Sequence, residues 1–215
     1  MTVRPHPPLE LRGLRKSFGD RVIFDGLDLT LQAGQIARLL GPNGSGKTTL
    51  LSCIAGTLIP DEGTILIDGH DLHDAPLEAR RRLRFLAQRD TPPLGLSGDE
   101  LVAFHAEVLG ASPEALQGAR ERAGLGAALS HLASTYSVGM FRRLQLACLA
   151  LGDPRLVVLD EPFAGLDLEA QEALRRQILS WVDEGVALIL ATHTEGLGTL
   201  LAREIVDIAC LEPVT

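Results

Sequence analysis

The chain has 215 residues, 46% of them hydrophobic, and a formal net charge of −8, enough for one good-sized domain or a domain with an inserted lobe. The acidic balance argues against a nucleic-acid binder, which needs a basic face. The opening "MTVRPHPPLE" lacks the apolar core of a secretory signal, and no stretch approaches the ~20 apolar residues of a bilayer span, so a soluble, cytoplasmic chain is expected.

Residues 9 to 38 read as strands. In "LDLTL", Leu27, Leu29 and Leu31 fall on one face and Asp28 and Thr30 on the other, the period-2 alternation of a half-buried strand. "GQIARLLG" is a short apolar run suited to a buried strand, "KTTLLSCIAGTL" has helical spacing and closes near Gly56, and "GTILIDG" is a strand between turn glycines. Arg80, Arg81, Arg82 and Arg84 form the densest basic run and read as a solvated helix face.

From about Ser97 to Gly152 the pattern is helical: "SGDELVAFHAEVLG", "SPEALQGARERAG" and "SVGMFRRLQLACLALG". Ser112 followed by Pro113 is a helix start, with an N-cap and a proline in the first turn. The last third alternates again. "RLVVLD" is a strand, "DLEAQEALRRQILSWVDEG" an amphipathic helix ended by Gly185, "VALILATH" a strand, "EGLGTLLA" a helix and "EIVDIACL" a strand. Alternating strand and helix imply an α/β fold with a parallel sheet covered on both faces. The expected division is a core of residues 1–88 and 153–215, with a helical lobe at 89–152.

Three cysteines, Cys53, Cys148 and Cys210, sit far apart in apolar contexts with no C-x-x-C pair, and read as small buried hydrophobes. His70 and His73 have no neighbours that complete a ligand set. Of the 20 cations only Lys16 and Lys47 are lysines.

Gly41-Pro42-Asn43-Gly44-Ser45-Gly46-Lys47-Thr48 fits G-x-x-x-x-G-K-[ST], with a strand before it and a helix after it. In such a loop the backbone N–H groups surround phosphate oxygens while the helix N-terminus adds its positive dipole end; side chains would block the approach, hence glycine. Lys47 would reach the β- and γ-phosphates, Thr48 would bind Mg²⁺ and Thr49 would add a phosphate contact. The pattern says nucleoside triphosphate without naming the reaction. "LVVLDEP" sets Asp160 and Glu161 at the C-terminal end of an apolar strand, where ligands of open α/β sheets bind. Asp160 would hold Mg²⁺, and Glu161 would polarise a water for attack on the γ-phosphate.

Together these residues resemble the nucleotide-binding subunits of ATP-binding cassette (ABC) transporters, in order along nearly the whole chain. Residues 41 to 49 are similar to the Walker A loop, and Asp160 and Glu161 to Walker B with its catalytic glutamate. "KSFGD" resembles the region of the adenine-stacking aromatic, here Phe18. Gln88 in "FLAQRD" resembles the Q-loop glutamine, which touches Mg²⁺ or the attacking water. "YSVGM" resembles the signature motif; Ser137 and Gly139 are kept, whereas Val138 and Met140 depart from the usual Leu-Ser-Gly-Gly-Gln. "AGLD" resembles the D-loop, ending in Asp167, and "ATH" supplies the switch histidine, His193.

The resemblance implies ATP and Mg²⁺ as cofactors, a membrane-spanning partner subunit touched near residues 89 to 105, and a second ATPase subunit that closes head-to-tail, with Ser137 and Gly139 acting in trans. It places the chain peripherally on the cytoplasmic face of the membrane. "LSGDELVAFHAEVLG", "YSVGM" and the compact length resemble export-type cassettes of the drug, lipid or haem-exporter sort. A soluble ABC ATPase acting on nucleic acid or ribosomes is the alternative. It is disfavoured by a single cassette without heptads. A GTPase would need an N-K-x-D guanine reader, which is missing from the sequence.

Overall fold

The computed structural model describes residues 6–192 and the strand 205–209. The chain divides into two compact units. One is drawn from the chain up to Gln88, Pro154–Pro162 and the stretch from Ile178 onward; the other comprises Arg89–Asp153 and Phe163–Gln177.

The first unit holds two sheets. In one, β1 (Leu9–Phe18) and β2 (Arg21–Leu31) form an antiparallel pair, and β4 (Glu62–Ile67) and β5 (His70–Asp71) extend it in the order β2-β1-β4-β5. The expected alternation in β2 appears as exposed Asp28 and Thr30 between more buried Leu27, Leu29 and Leu31. The other sheet is parallel, in the order β6-β7-β8-β3-β9, built from β3 (Ile36–Leu40), β6 (Leu83–Leu86), β7 (Leu156–Asp160), β8 (Ala187–Ala191) and β9 (Ile205–Ala209). Every residue of β7 and β8 is buried, which is why both read as unbroken apolar runs.

Helix α1 (Lys47–Ile54) joins the sheets. Its Leu50, Leu51 and Ile54 share one buried cluster with Leu9, Leu11 and Leu14 of β1, Val158 of β7 and Ile189 of β8. Burying each such side chain contributes roughly 1.5–3 kcal/mol, so the start of α1 is anchored from both sides.

The arginine run corrects the sequence reading. Helix α2 (Pro76–Arg81) ends before Arg82, and the chain enters β6, a strand hidden in "LRFLAQ". Arg84 is therefore on a buried strand, not a solvated helix face; it is 6% exposed and donates to the carbonyls of Arg81 and Leu83 at 3.0 and 2.8 Å. Arg82 turns to Asp68, with Nε 2.9 Å from Oδ2.

The second unit contains α3 (Gly98–Val108), α4 (Pro113–Ala123) and α5 (Val138–Leu149). All three begin on a serine N-cap: Ser97, Ser112 and Ser137 accept from the N–H of Glu100, Ala115 and Met140, each at 3.2 Å. Ser97 and Glu100 complete a capping box. Leu101, Val102, Ala119, Ala123 and Leu144 form the core, and Arg120 grips Asp99 with two bonds of 2.6 and 3.0 Å.

Helix α6 (Leu168–Asp183) begins in this unit. The sequence reading keeps residues 163–177 with the core; the structure gathers them with the helices. After Pro162 the chain passes back over the start of α5, where the Gly165 carbonyl lies 3.8 Å from the position of a Cβ on Gly139.

Candidate nucleotide-binding site

The loop after β3 and the end of β7 meet at a cleft of about 290 Å³. It is lined by Asn43, Gly44, Gly46, Lys47, Thr48, Thr49, Gln88, Asp160 and Glu161. β3 and β7 run parallel in the same sheet, separated by β8. Their C-terminal ends therefore fall on one edge, and the loop leaves from that edge.

The loop's shape follows from its glycines. Gly44 and Gly46 have φ of 82° and 96°, a region that L side chains rarely adopt. A Cβ on Gly46 would also stand 2.4 Å from Ile23 Cγ2. Gly46 is the N-cap of α1 and has no side chain to satisfy the first-turn N–H groups; no acidic residue stands in that turn. The positive end of the helix is thus directed at the loop.

Lys47 is 8% exposed, and its ammonium donates to the carbonyls of Gly41 and Pro42 at 2.6 and 2.9 Å. The Thr48 hydroxyl donates to Asp160 Oδ2 at 2.8 Å. Asp160 is 2% exposed. Ser45 is buried, and its Oγ has no hydrogen-bond partner in the protein; a buried hydroxyl left this way is costly, and an oxygen-rich ligand seated in the loop would satisfy it. An anion cradle with a hydroxyl and a carboxylate at its edge suits a triphosphate with a hard divalent cation.

Glu161 takes φ 46°, unusual for a residue with a Cβ. Its N–H donates to the Ala191 carbonyl at 2.9 Å, which holds the turn as β7 ends. The chain thus places two successive carboxylates at the strand end with different surroundings, Asp160 buried and Glu161 partly open. Gln88 is exposed, two residues beyond β6.

Phe18 ends β1 and is 53% exposed. It pairs across the turn with Arg21, whose guanidinium donates to the Gly44 carbonyl at 2.8 Å. Arg21 is not in the sequence-derived set. The only hint was its place after a tight Gly-Asp turn, and the contact needs the hairpin to fold over the loop.

In the second unit Ser137 caps α5. Asp167 accepts from the Ala170 N–H at 2.8 Å and so caps α6. Val138 is 82% exposed. His193 lies outside the described residues.

Comparison with known proteins points to one family. A family model described as ABC transporter matches residues 24–164. The chain is 40% identical over 193 residues to the cytochrome c biogenesis ATP-binding export protein CcmA of Rhodopseudomonas palustris (strain BisB5), covering 90% of this chain and 94% of that one. It is 37% identical over 200 residues to the daunorubicin/doxorubicin resistance ATP-binding protein DrrA of Streptomyces peucetius; the match takes in 90% of this chain but spans only 60% of DrrA. A solved ATP-binding subunit of an ABC transporter superposes with a TM-score of 0.83 at 27% identity, over 96% of this chain and 89% of that one. On the family model, the identity to these two relatives and the shared fold, the chain belongs to the ATP-binding subunits of the ABC transporter family.

Proposed function

We propose that the chain binds Mg²⁺-ATP in the cleft and hydrolyses it to drive transport through a separate membrane-spanning subunit. The observation that carries this is the bond from Thr48 to Asp160 in a cleft that Lys47 and the glycine-rich loop also line. The loop N–H groups, Ser45 and Lys47 would bind and orient the triphosphate. Thr48, Asp160 and Gln88 would hold Mg²⁺, which supplies charge neutralisation at the phosphate oxygens when bound. Glu161 would orient a water and accept its proton. His193 would contact the γ-phosphate, and Phe18 would stack on adenine.

A second copy would complete each site, Ser137 and Gly139 presenting the N-terminus of α5 to the γ-phosphate of the partner's nucleotide. Asp167 would lie at the same junction. Among the described residues no helix is long and apolar enough to cross a membrane, and the membrane partner would engage the stretch near residues 89–105 from the cytoplasmic face. The export named in CcmA supports outward transport.

Phosphate release by the purified chain, compared with Lys47→Ala, tests the hydrolysis. Scattering on Glu161→Gln with Mg²⁺-ATP tests closure: a doubling of mass is expected, and a strict monomer at high concentration would overturn the paired site. ATPase stimulation by cargo in the complex with its membrane partner tests the direction and class of transport.

A further inference from the structure

Phe18 carries the proposed adenine contact, yet it sits at a strand end and more than half of its surface is exposed. A ring so placed would lose rotamer freedom each time a base stacked on it, unless something already held it.

The surroundings supply that hold. The β1–β4 ladder stops at the pair Arg15–Glu62, so the last three residues of β1 have no main-chain partner on that side. Asp61, the residue before β4, takes over. Its N–H donates to the Arg15 carbonyl at 2.9 Å. One carboxylate oxygen accepts from both the N–H and the hydroxyl of Ser17, at 2.6 and 2.7 Å. The other oxygen takes the Lys16 ammonium at 2.7 Å, which also donates to the Ile59 carbonyl at 3.0 Å. That ammonium lies 5.4 Å from the centroid of the Phe18 ring, within reach of the attraction between a cation and an aromatic face.

Lys16 is one of only two lysines in a chain whose other cations are all arginine. An ammonium is a compact point donor. Here it serves a carbonyl, a carboxylate and a ring face together, with its stem largely covered.

We infer that Lys16 and Asp61 are positioning residues for nucleotide binding, a clamp that presets both the backbone at Ser17 and the ring of Phe18 for the base. This rests on Phe18 being the stacking residue. The clamp does not touch the phosphates, so its loss acts on the base end of the ligand alone.

The test is calorimetry on the full chain with Mg²⁺-ATP and, separately, with Mg²⁺-tripolyphosphate. Wild type, Lys16→Met, Asp61→Ala, Phe18→Ala and the double Lys16→Met/Phe18→Ala are compared, with melting curves for each. Lys16→Met and Asp61→Ala are expected to weaken ATP about 3- to 10-fold, as a lost cation–ring contact would, with tripolyphosphate unchanged. Once Phe18 is gone, removing Lys16 should add nothing. Full ATP affinity in Lys16→Met and Asp61→Ala beside a weakened Phe18→Ala overturns the clamp and leaves the stacking intact. Equal losses for both ligands overturn positioning in favour of general destabilisation. No loss in Phe18→Ala overturns the stacking and the clamp with it.

Discussion

Thr48 and Asp160 are 112 residues apart in the chain, yet hydroxyl and carboxylate meet at 2.8 Å. Parallel strands β3 and β7 end on the same edge of one sheet, and the loop after β3 carries Thr48 back to the end of β7. The contact is an oxygen pair already gathered at the spacing a cation would need. Asp160→Asn is expected to lower the Mg²⁺ dependence of ATP affinity by about 10- to 100-fold. ATP affinity in excess chelator should stay as in wild type. Calorimetry with and without Mg²⁺ checks both.

Gly46 has no room for a side chain. Gly46→Ala would meet Ile23 Cγ2 at 2.4 Å and would occupy φ 96°. Backbone strain and clash together should cost about 2–4 kcal/mol. Ile23→Ala relieves only the clash, so a double variant should recover part of the stability in urea unfolding. Full recovery would show that the backbone conformation costs nothing.

Asp68 sits between two arginines, with Arg82 Nε at 2.9 Å and the nearly buried Arg155 Nε at 3.4 Å. Asp68→Asn keeps the shape and the tolerance of φ 49° but removes the charge. A loss of about 1–3 kcal/mol is expected, because Arg155 would be left without its counter-charge. Glu10→Gln, at an exposed pair with Arg12, should leave stability unchanged in the same denaturation series.

Burial pushes the Cys53 thiol up to about 11 and the Cys148 thiol up to about 12. The thiolate is the reactive species, so neither should be alkylated in native protein at pH 8, while both react in denaturant. Peptide mass spectrometry after a timed iodoacetamide pulse locates the labels. Rapid native labelling of either would show that its cluster opens.

Hydrogen bonds from Lys16, then from Ser17, hold the Asp61 carboxyl down to about 2 from its usual 3.8. A depressed carboxyl contributes stability that is complete above its unfolded value and disappears as pH falls through the folded one. The advantage of wild type over Asp61→Ala in urea midpoint should therefore be flat above pH 5 and shrink from pH 5 to pH 3. An advantage that held constant to pH 3 would mean that the carboxylate's charge has no part in it.

The glycine-rich loop before α1, the Asp160–Glu161 strand end and the serine cap at 112 were legible in the amino-acid order. Each is a local device: a glycine needs its own φ, and a cap bonds an N–H three residues on. Strands β7 and β8 were legible too, since full burial leaves an unbroken apolar run. The sequence also supplied the family resemblance, because these motifs come in order.

Tertiary structure alone decided the rest. Strand β6 is four residues with an arginine inside it, and only pairing with β7 makes it a strand. Grouping residues 163–177 with the helices depends on where the chain turns after Pro162. Arg21 reaches Gly44, Lys16 and Ser17 reach Asp61, and Thr48 reaches Asp160 only after distant segments share a sheet edge or a hairpin end. Local backbone preference is written residue by residue, whereas a side-chain partner is chosen by which strands lie next to each other, and that follows from burying the whole core at once.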